Sequence, residues 1–223
     1  MDDPAKSKIF KLAERYEKSP AIRALVQLIP SWIGSAFDVV LTITIANIRE
    51  DRARAFFDEL GKRDFPLTEE EIKSEDFLHA FFATSKAALN TRRREKTRLF
   101  AQLLCSYAFK PTEIEEFEEH LSVLDDLSYR EFQILLALKH YEEADPQDKV
   151  KNAHERADLF WKDFQSECAT KLGIPTDELN GILTRLTRTG LYQVITFHYR
   201  GDRGRLTPNF YRFIEKLGTA NTE

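Results

Sequence analysis

Five histidines, two cysteines and 37 acidic residues are the side chains with which this 223-residue chain could do acid–base, nucleophilic or metal chemistry. His79, His120, His140, His154 and His198 never stand three or four residues apart, so no helix carries the local imidazole pair that grips zinc. His154-Glu155 lacks the second histidine of a metalloprotease helix, which leaves only clustering brought about by the fold. Cys105 and Cys168 are far apart in apolar, helix-like surroundings, and either would need a histidine folded in beside it to act as a nucleophile; Cys105 reads as a core residue. Acidic runs such as Glu69-Glu70-Glu71 and Glu115 to Glu119 read as solvated helix faces. Phosphate-loop, dinucleotide-loop and nucleophile-elbow glycine patterns are missing. The expectation is a protein without catalytic residues, metal or cofactor.

What the sequence does concentrate is positive charge. Between Lys171 and Lys216 stand eight cations (Lys171, Arg185, Arg188, Arg200, Arg203, Arg205, Arg212, Lys216) and four acids (Asp177, Glu178, Asp202, Glu215), a local +4. The whole chain sums to −4, so the other residues together carry −8. At about 100° per residue, a helix from Thr176 places Asp177, Asn180, Gly181, Thr184, Arg185 and Arg188 opposite an apolar face of Leu179, Ile182, Leu183 and Leu186. Arg185, Arg188, Arg200, Arg203 and Arg205 are then placed to neutralise phosphates, and Asn180, Thr184 or Arg185 could reach base edges. Duplex DNA is the partner this points to. The opposing reading is a docking module for another protein, with Arg200 to Arg205 a solvated turn. Asp177 and Glu178 weaken the field at the helix start, although they suit its dipole. A second basic run, Arg92-Arg93-Arg94 with Lys96 and Arg98, also falls at a helix start; a solvated face pairing with Glu113 to Glu119 accounts for it better than an anionic partner.

Caps and periodicity define the elements that must position these side chains. Ser128-Tyr129-Arg130-Glu131 is a capping box ahead of Phe132, Leu135, Leu136, Leu138 and Tyr141, a helix that ends before Asp145-Pro146. Ala157 to Leu172 is helical and closes at Gly173-Ile174-Pro175; Thr176 caps the next helix, which runs to Thr189 and stops at Gly190. Leu191 to Tyr199 is aromatic and β-branched, hence a strand. Arg200-Gly201-Asp202-Arg203-Gly204 is a turn, Arg205-Leu206-Thr207 starts the return strand, and Pro208 to Leu217 is a final helix. This order, with Leu186-Thr187-Arg188-Thr189-Gly190-Leu191 ending the third helix and Gly204-Arg205-Leu206-Thr207-Pro208 returning into the last, resembles the winged helix-turn-helix family. The resemblance covers about Leu127 to Leu217 and implies DNA binding, commonly as a homodimer on two half-sites. The long, charged connector from Asp145 to Arg156 departs from the usual pattern.

The first half is a run of helices. Asp3-Pro4 opens one, Ser19-Pro20 ends it, and Ala21 to Ile29 is short and apolar before Pro30. Trp32 to Ile48 is the most apolar stretch and is assigned to helix, although Val39 to Ile45 would suit a buried strand equally well. At 17 residues with Asp38 inside, it is short of the roughly 20 needed to cross a bilayer, so burial in a core is favoured over membrane contact. That helix continues through Ala55, Phe56 and Leu60 to Gly61. Thr68-Glu71 and Ser74-Glu75-Asp76 are further starts, the latter leading to Asn90; Thr91 then caps Arg92 to Phe109, and a short acidic helix runs from Pro111 to about Leu124. Ile29 to Asp38, the Arg52-to-Leu60 helix and Lys96 to Ala108 with that acidic helix resemble uncharacterised bacterial helical proteins of the Abi-alpha, abortive-infection type. The resemblance implies a phage-defence interaction protein or effector, with the apolar helical hairpin over Ile29 to Ile48 as its oligomerisation or membrane surface. No arginine precedes a histidine at the spacing of HEPN ribonucleases, an enzyme class common among abortive-infection proteins.

Eight glycines in 223 residues, about half the roughly 7% usual in globular chains, leave little turn material for many short strands. The fold class expected is therefore mostly α. An irregular helical domain over 1–124, for sensing or assembly, precedes a winged helix-turn-helix domain over 125–223 with one small β-hairpin. Unpaired cysteines and an acidic start with no apolar core imply a reducing cytoplasm and no signal or transit peptide.

Overall fold

The computed structural model describes residues 48, 51–60, 62, 74–107, 113–144, 153–196 and 202–218. Of these, 80% are helical, and one two-stranded antiparallel sheet accompanies the helices. The assignments to 1–47, the glycine stop at 61, the cap at Thr68 and the hairpin tip at 197–201 lie outside the described residues. Two compact units are present, 1–122 with 216–218, and 123–215 with 219–223.

In the first unit a helical segment at 51–60 accompanies α1 (Glu75–Asn90) and α2 (Arg94–Cys105). Ser74 caps α1 as its sequence implies, its hydroxyl accepting from the Phe77 N–H at 3.2 Å. Thr91 does not cap α2. It is the C-cap of α1, its N–H reaching the Ala87 carbonyl, and α2 starts two residues later behind Arg93, which supplies no side-chain cap bond. Phe56 and Phe81 meet edge to face at 6.4 Å, and Phe77, Phe100, Leu103 and Leu104 are fully buried around them. Arg52 donates to the Leu89 carbonyl at 3.0 Å and Gln102 to Glu59 at 2.8 Å, which ties the 51–60 segment to both helices. Next comes α3 (Ile114–Asp126), where Phe117 packs edge to face on Tyr107 and His120 shares a 2.6 Å hydrogen bond with the Tyr107 hydroxyl.

The second unit holds α4 (Tyr129–Ala144), α5 (Ala153–Lys171), α6 (Thr176–Leu186) with a 3-10 turn at Thr187–Thr189, β1 (Tyr192–Ile195), β2 (Arg203–Leu206) and α7 (Pro208–Leu217). The capping box forms: Ser128 Oγ accepts from Glu131 N–H at 3.1 Å while Glu131 Oε2 accepts from Ser128 N–H at 2.9 Å. The charged connector is shorter than its sequence suggests, because α5 begins at Ala153. At the other end of α5 the Ile174 N–H returns to the Cys168 carbonyl at 3.0 Å, with Gly173 at φ +64, a left-handed closure that a β-carbon would strain. Pro175, not Thr176, occupies the cap position of α6; its φ of −58 already suits the entry, and Thr176 is the first helical residue.

A single core serves this unit. Phe132, Leu135 and Leu138 of α4, Trp161 and Phe164 of α5, Leu179, Leu183 and Leu186 of α6, and Phe210 and Phe213 of α7 are all at most 4% exposed. In the hairpin, Tyr192 pairs with Leu206, Gln193 with Arg205, Val194 with Gly204 and Ile195 with Arg203. Arg203 and Gly204, expected in the turn, are therefore strand residues. Gly204 is needed there: a methyl group in its place would overlap the ring and hydroxyl of the buried Tyr192. Gly204→Ala must displace that ring from a packed site, so chemical denaturation should show a loss of about 1–3 kcal/mol; an unchanged midpoint would mean that the hairpin shifts without resistance.

Candidate nucleic-acid interface

Burial of Leu179, Ile182, Leu183 and Leu186 fixes how α6 is rotated. The residues left exposed are Thr176, Asp177, Glu178, Asn180, Gly181, Thr184 and Arg185, followed by Thr187 and Arg188 in the 3-10 turn. Asn180, Thr184 and Arg188 recur at i, i+4 and i+8, so three of the residues expected to touch DNA share one stripe, with Arg185 beside them. Among the described residues the exposed large apolar side chains are Ile48, Leu159 and Tyr211, and none belongs to this face. The Thr184 hydroxyl donates to the Asn180 carbonyl at 2.9 Å and the Thr187 hydroxyl to the Thr184 carbonyl at 2.7 Å. Both donors are thus spent on the backbone, and outward each oxygen can act only as an acceptor.

Every expected arginine that the structure describes has an anchor. Arg185 Nη2 lies 3.4 Å from Glu131 Oε1, and Arg188 Nη2 donates to the Asp126 carbonyl at 3.3 Å. Arg205 donates through Nε and Nη2 to Gln193 Oε1, at 3.1 and 2.9 Å, as their cross-strand register dictates. Arg203 differs from the other three in its surroundings. Its Nε is 2.7 Å from Asp158 Oδ1, both side chains are about one-fifth exposed (21% and 19%), and the guanidinium lies 5.8 Å from the Trp161 ring centre. Arg203 therefore ties the start of β2 to α5, whereas Arg205, two residues further along the same face of the strand, is exposed. Arg200 lies outside the described residues.

Sequence reading missed Arg130. It is the third residue of the capping box, and that local role drew attention from its reach: Nη1 donates to Glu178 Oε1 at 2.6 Å and Nη2 to the Gly173 carbonyl at 3.1 Å. It lines an open groove of about 460 Å³ with Ser128, Glu131, Glu178, Gly181 and Arg185.

Glu142 was missed too, with no local signal to reveal it. Its Oε1 accepts from the Leu206 N–H of β2 and its Oε2 from the Tyr211 hydroxyl of α7, each at 2.9 Å. It borders a cleft of about 670 Å³ whose other walls include Arg156, Phe160, Arg205, Leu206 and Tyr211. Burial raises its pKa above the ordinary carboxylate value, against the lowering effect of those two hydrogen bonds and of Arg156 and Arg205. Cys168 is fully buried, and that burial, reinforced by Glu167, pushes its thiol up to about 11, so it is protonated at neutral pH and not a nucleophile.

Among the described residues no group of three His, Cys, Asp or Glu side chains could hold a metal ion, and no helix is long and apolar enough to cross a membrane. No family model, no curated protein and no solved structure matches the chain.

Glu142→Ala strands two donors and should cost about 1–3 kcal/mol in unfolding experiments. The pH dependence has a definite sign. A carboxyl whose pKa is raised on folding binds its proton more tightly in the folded state, so its contribution is fullest below the unfolded pKa and is lost as pH rises through the folded one. Glu142→Gln cannot ionise. The wild-type-minus-variant difference in unfolding free energy should therefore decline across that interval and level off above it; a difference constant with pH would contradict the assignment.

Proposed function

We propose that residues 123–215 form a winged-helix module that binds duplex DNA, with α6 in the major groove and the β1–β2 hairpin along the sugar-phosphate backbone. The observation that supports this most is the chemistry of the exposed α6 face. It offers amide, hydroxyl and guanidinium groups at helical spacing and no large apolar side chain. Protein-docking surfaces draw their affinity from aromatic and aliphatic anchors in desolvated pockets, while DNA is held by charge and read by hydrogen bonds. In this reading Arg185, Arg188 and Arg205 meet phosphates, Asn180 and Thr184 face base edges, and Arg203 orients the hairpin through Asp158. The helical residues preceding this module serve sensing or assembly, and the protein acts without catalysis or a cofactor.

Fluorescence anisotropy with a labelled duplex tests the reading. Arg188→Ala and Arg205→Ala should each weaken binding to related and unrelated duplexes alike, and each should reduce the slope of log affinity against log salt by about 1. Arg203→Ala should instead show first as a lower unfolding midpoint. Absence of duplex affinity at low salt, or affinity indifferent to salt, sinks the proposal.

The second reading is an abortive-infection-like interaction protein whose module docks on another protein. Its support is Leu159 of α5, a large apolar side chain that is 64% exposed. Size-exclusion chromatography with and without duplex separates the two: a DNA-dependent shift favours the first, and none, combined with toxicity on overexpression, favours the second.

A further inference from the structure

Two ion pairs, Arg130–Glu178 and Arg185–Glu131, lie side by side in the groove between the start of α4 and the start of α6. We infer that Arg130 is a further phosphate-binding residue and that Glu178 is its displaceable internal counter-ion, so that DNA engages this face by exchanging ion pairs. The inference rests on the DNA-binding reading above and adds to it a residue, an edge of the interface and a means of holding non-specific affinity down.

Four observations carry it. First, the pair is poorly suited to holding the helices together. Its side chains are 43% and 46% exposed, and exposed pairs of this kind contribute little to stability. The α4, α5 and α6 contacts are already secured by buried Leu135, Phe164, Leu179 and Leu183. Second, the two carboxylates in the groove are not equivalent. Glu131 is 6% exposed, and its second oxygen is fixed by the Ser128 N–H at 2.9 Å and the Ser128 hydroxyl at 2.8 Å, so it cannot swing away. Glu178 has no such second tether among the described hydrogen bonds and can rotate into solvent. Third, Arg130 also donates to the Gly173 carbonyl, which holds its guanidinium at the turn leading into α6 when Glu178 leaves. Departure of Glu178 releases Nη1, and with the guanidinium still held at Gly173 that nitrogen is available to donate to a phosphate oxygen. Fourth, Arg185 is 61% exposed, its Nη2 lying 3.4 Å from Glu131 Oε1, so its guanidinium extends the same edge.

The chemistry has a consequence for selectivity. A random duplex must break Arg130–Glu178 to gain one phosphate contact, with little net return. A duplex that also satisfies Asn180 and Thr184 recovers that cost through contacts made only in the right register.

Duplex titrations over a salt series, on the intact chain, test this with Glu178→Gln, Arg130→Ala and the double variant. Glu178→Gln should tighten binding to an unrelated duplex about threefold to tenfold and steepen the salt slope by about one, as an extra phosphate contact forms. Arg130→Ala should weaken binding, and in its background Glu178→Gln should lose most of its effect. If the gain from Glu178→Gln is as large without Arg130 as with it, only a repulsive charge has been removed and the counter-ion inference fails. If Glu178→Gln changes nothing while Arg188→Ala still weakens binding, the inference fails and the DNA reading stands. If no variant binds duplex at low salt, the DNA reading fails and this inference with it.

Discussion

The carboxylate of Glu131 divides its two oxygens between two tasks on which the candidate interface depends. One oxygen closes the capping box with Ser128 and so fixes where α4 starts; the other meets Arg185 on α6. A carboxylate at 6% exposure is unfavourable unless it is partnered, and here the Ser128 N–H and hydroxyl donate to one oxygen while the Arg185 guanidinium lies 3.4 Å from the other. The start of α4 is thereby tied to the outer surface of α6, and the groove containing Arg130 and Glu178 takes its shape from that tie.

The same device recurs along α4 and α5. Asp158 holds the Arg203 side chain and Glu142 holds the Leu206 N–H, so the second strand of the short hairpin is anchored twice by acids from helices far away in the chain. Two strands of four residues would be marginal alone. With Tyr192 laid over Gly204 and two carboxylates on the second strand, the hairpin is built into the core. The local +4 of the sequence is therefore not a bare positive patch. Glu131, Glu142 and Asp158 all lie outside the Lys171-to-Lys216 segment that carries it, and the fold brings them against its Arg185, Leu206 and Arg203.

That is why some features were legible in the sequence and others were not. Ser74, the Ser128 capping box and the Pro208 start of α7 are local events decided within four residues, and periodicity alone identified the buried and exposed faces of α6. Thr91 and Thr176 were misread because a cap-forming residue type occurs beside a helix start without occupying its cap; at Thr91 the end of α1 captured it, and at Thr176 a proline came first. Gly204 reads as turn material by composition, whereas its place in β2 is required by a ring two registers away. Arg130 and Glu142 act across 48 and 64 residues respectively, distances that no local pattern encodes.

The rotation of α6 links these levels. Four buried apolar side chains set it, and the exposed residues contribute nothing essential to that packing. Substitution at outer-face positions such as Asn180 leaves those four apolar contacts in place, whereas Arg185 and Arg188 also tie the helix and its 3-10 turn to Glu131 and Asp126. Its polarity along the axis is consistent with the helix dipole, acids at Asp177 and Glu178 and cations at Arg185 and Arg188, so the face sums to zero charge while remaining strongly dipolar. In the DNA-binding proposal a polyanion is attracted where Arg185 and Arg188 lie and opposed where Asp177 and Glu178 lie, so exchange of the Arg130–Glu178 pair removes part of the charge that opposes contact at the start of the helix.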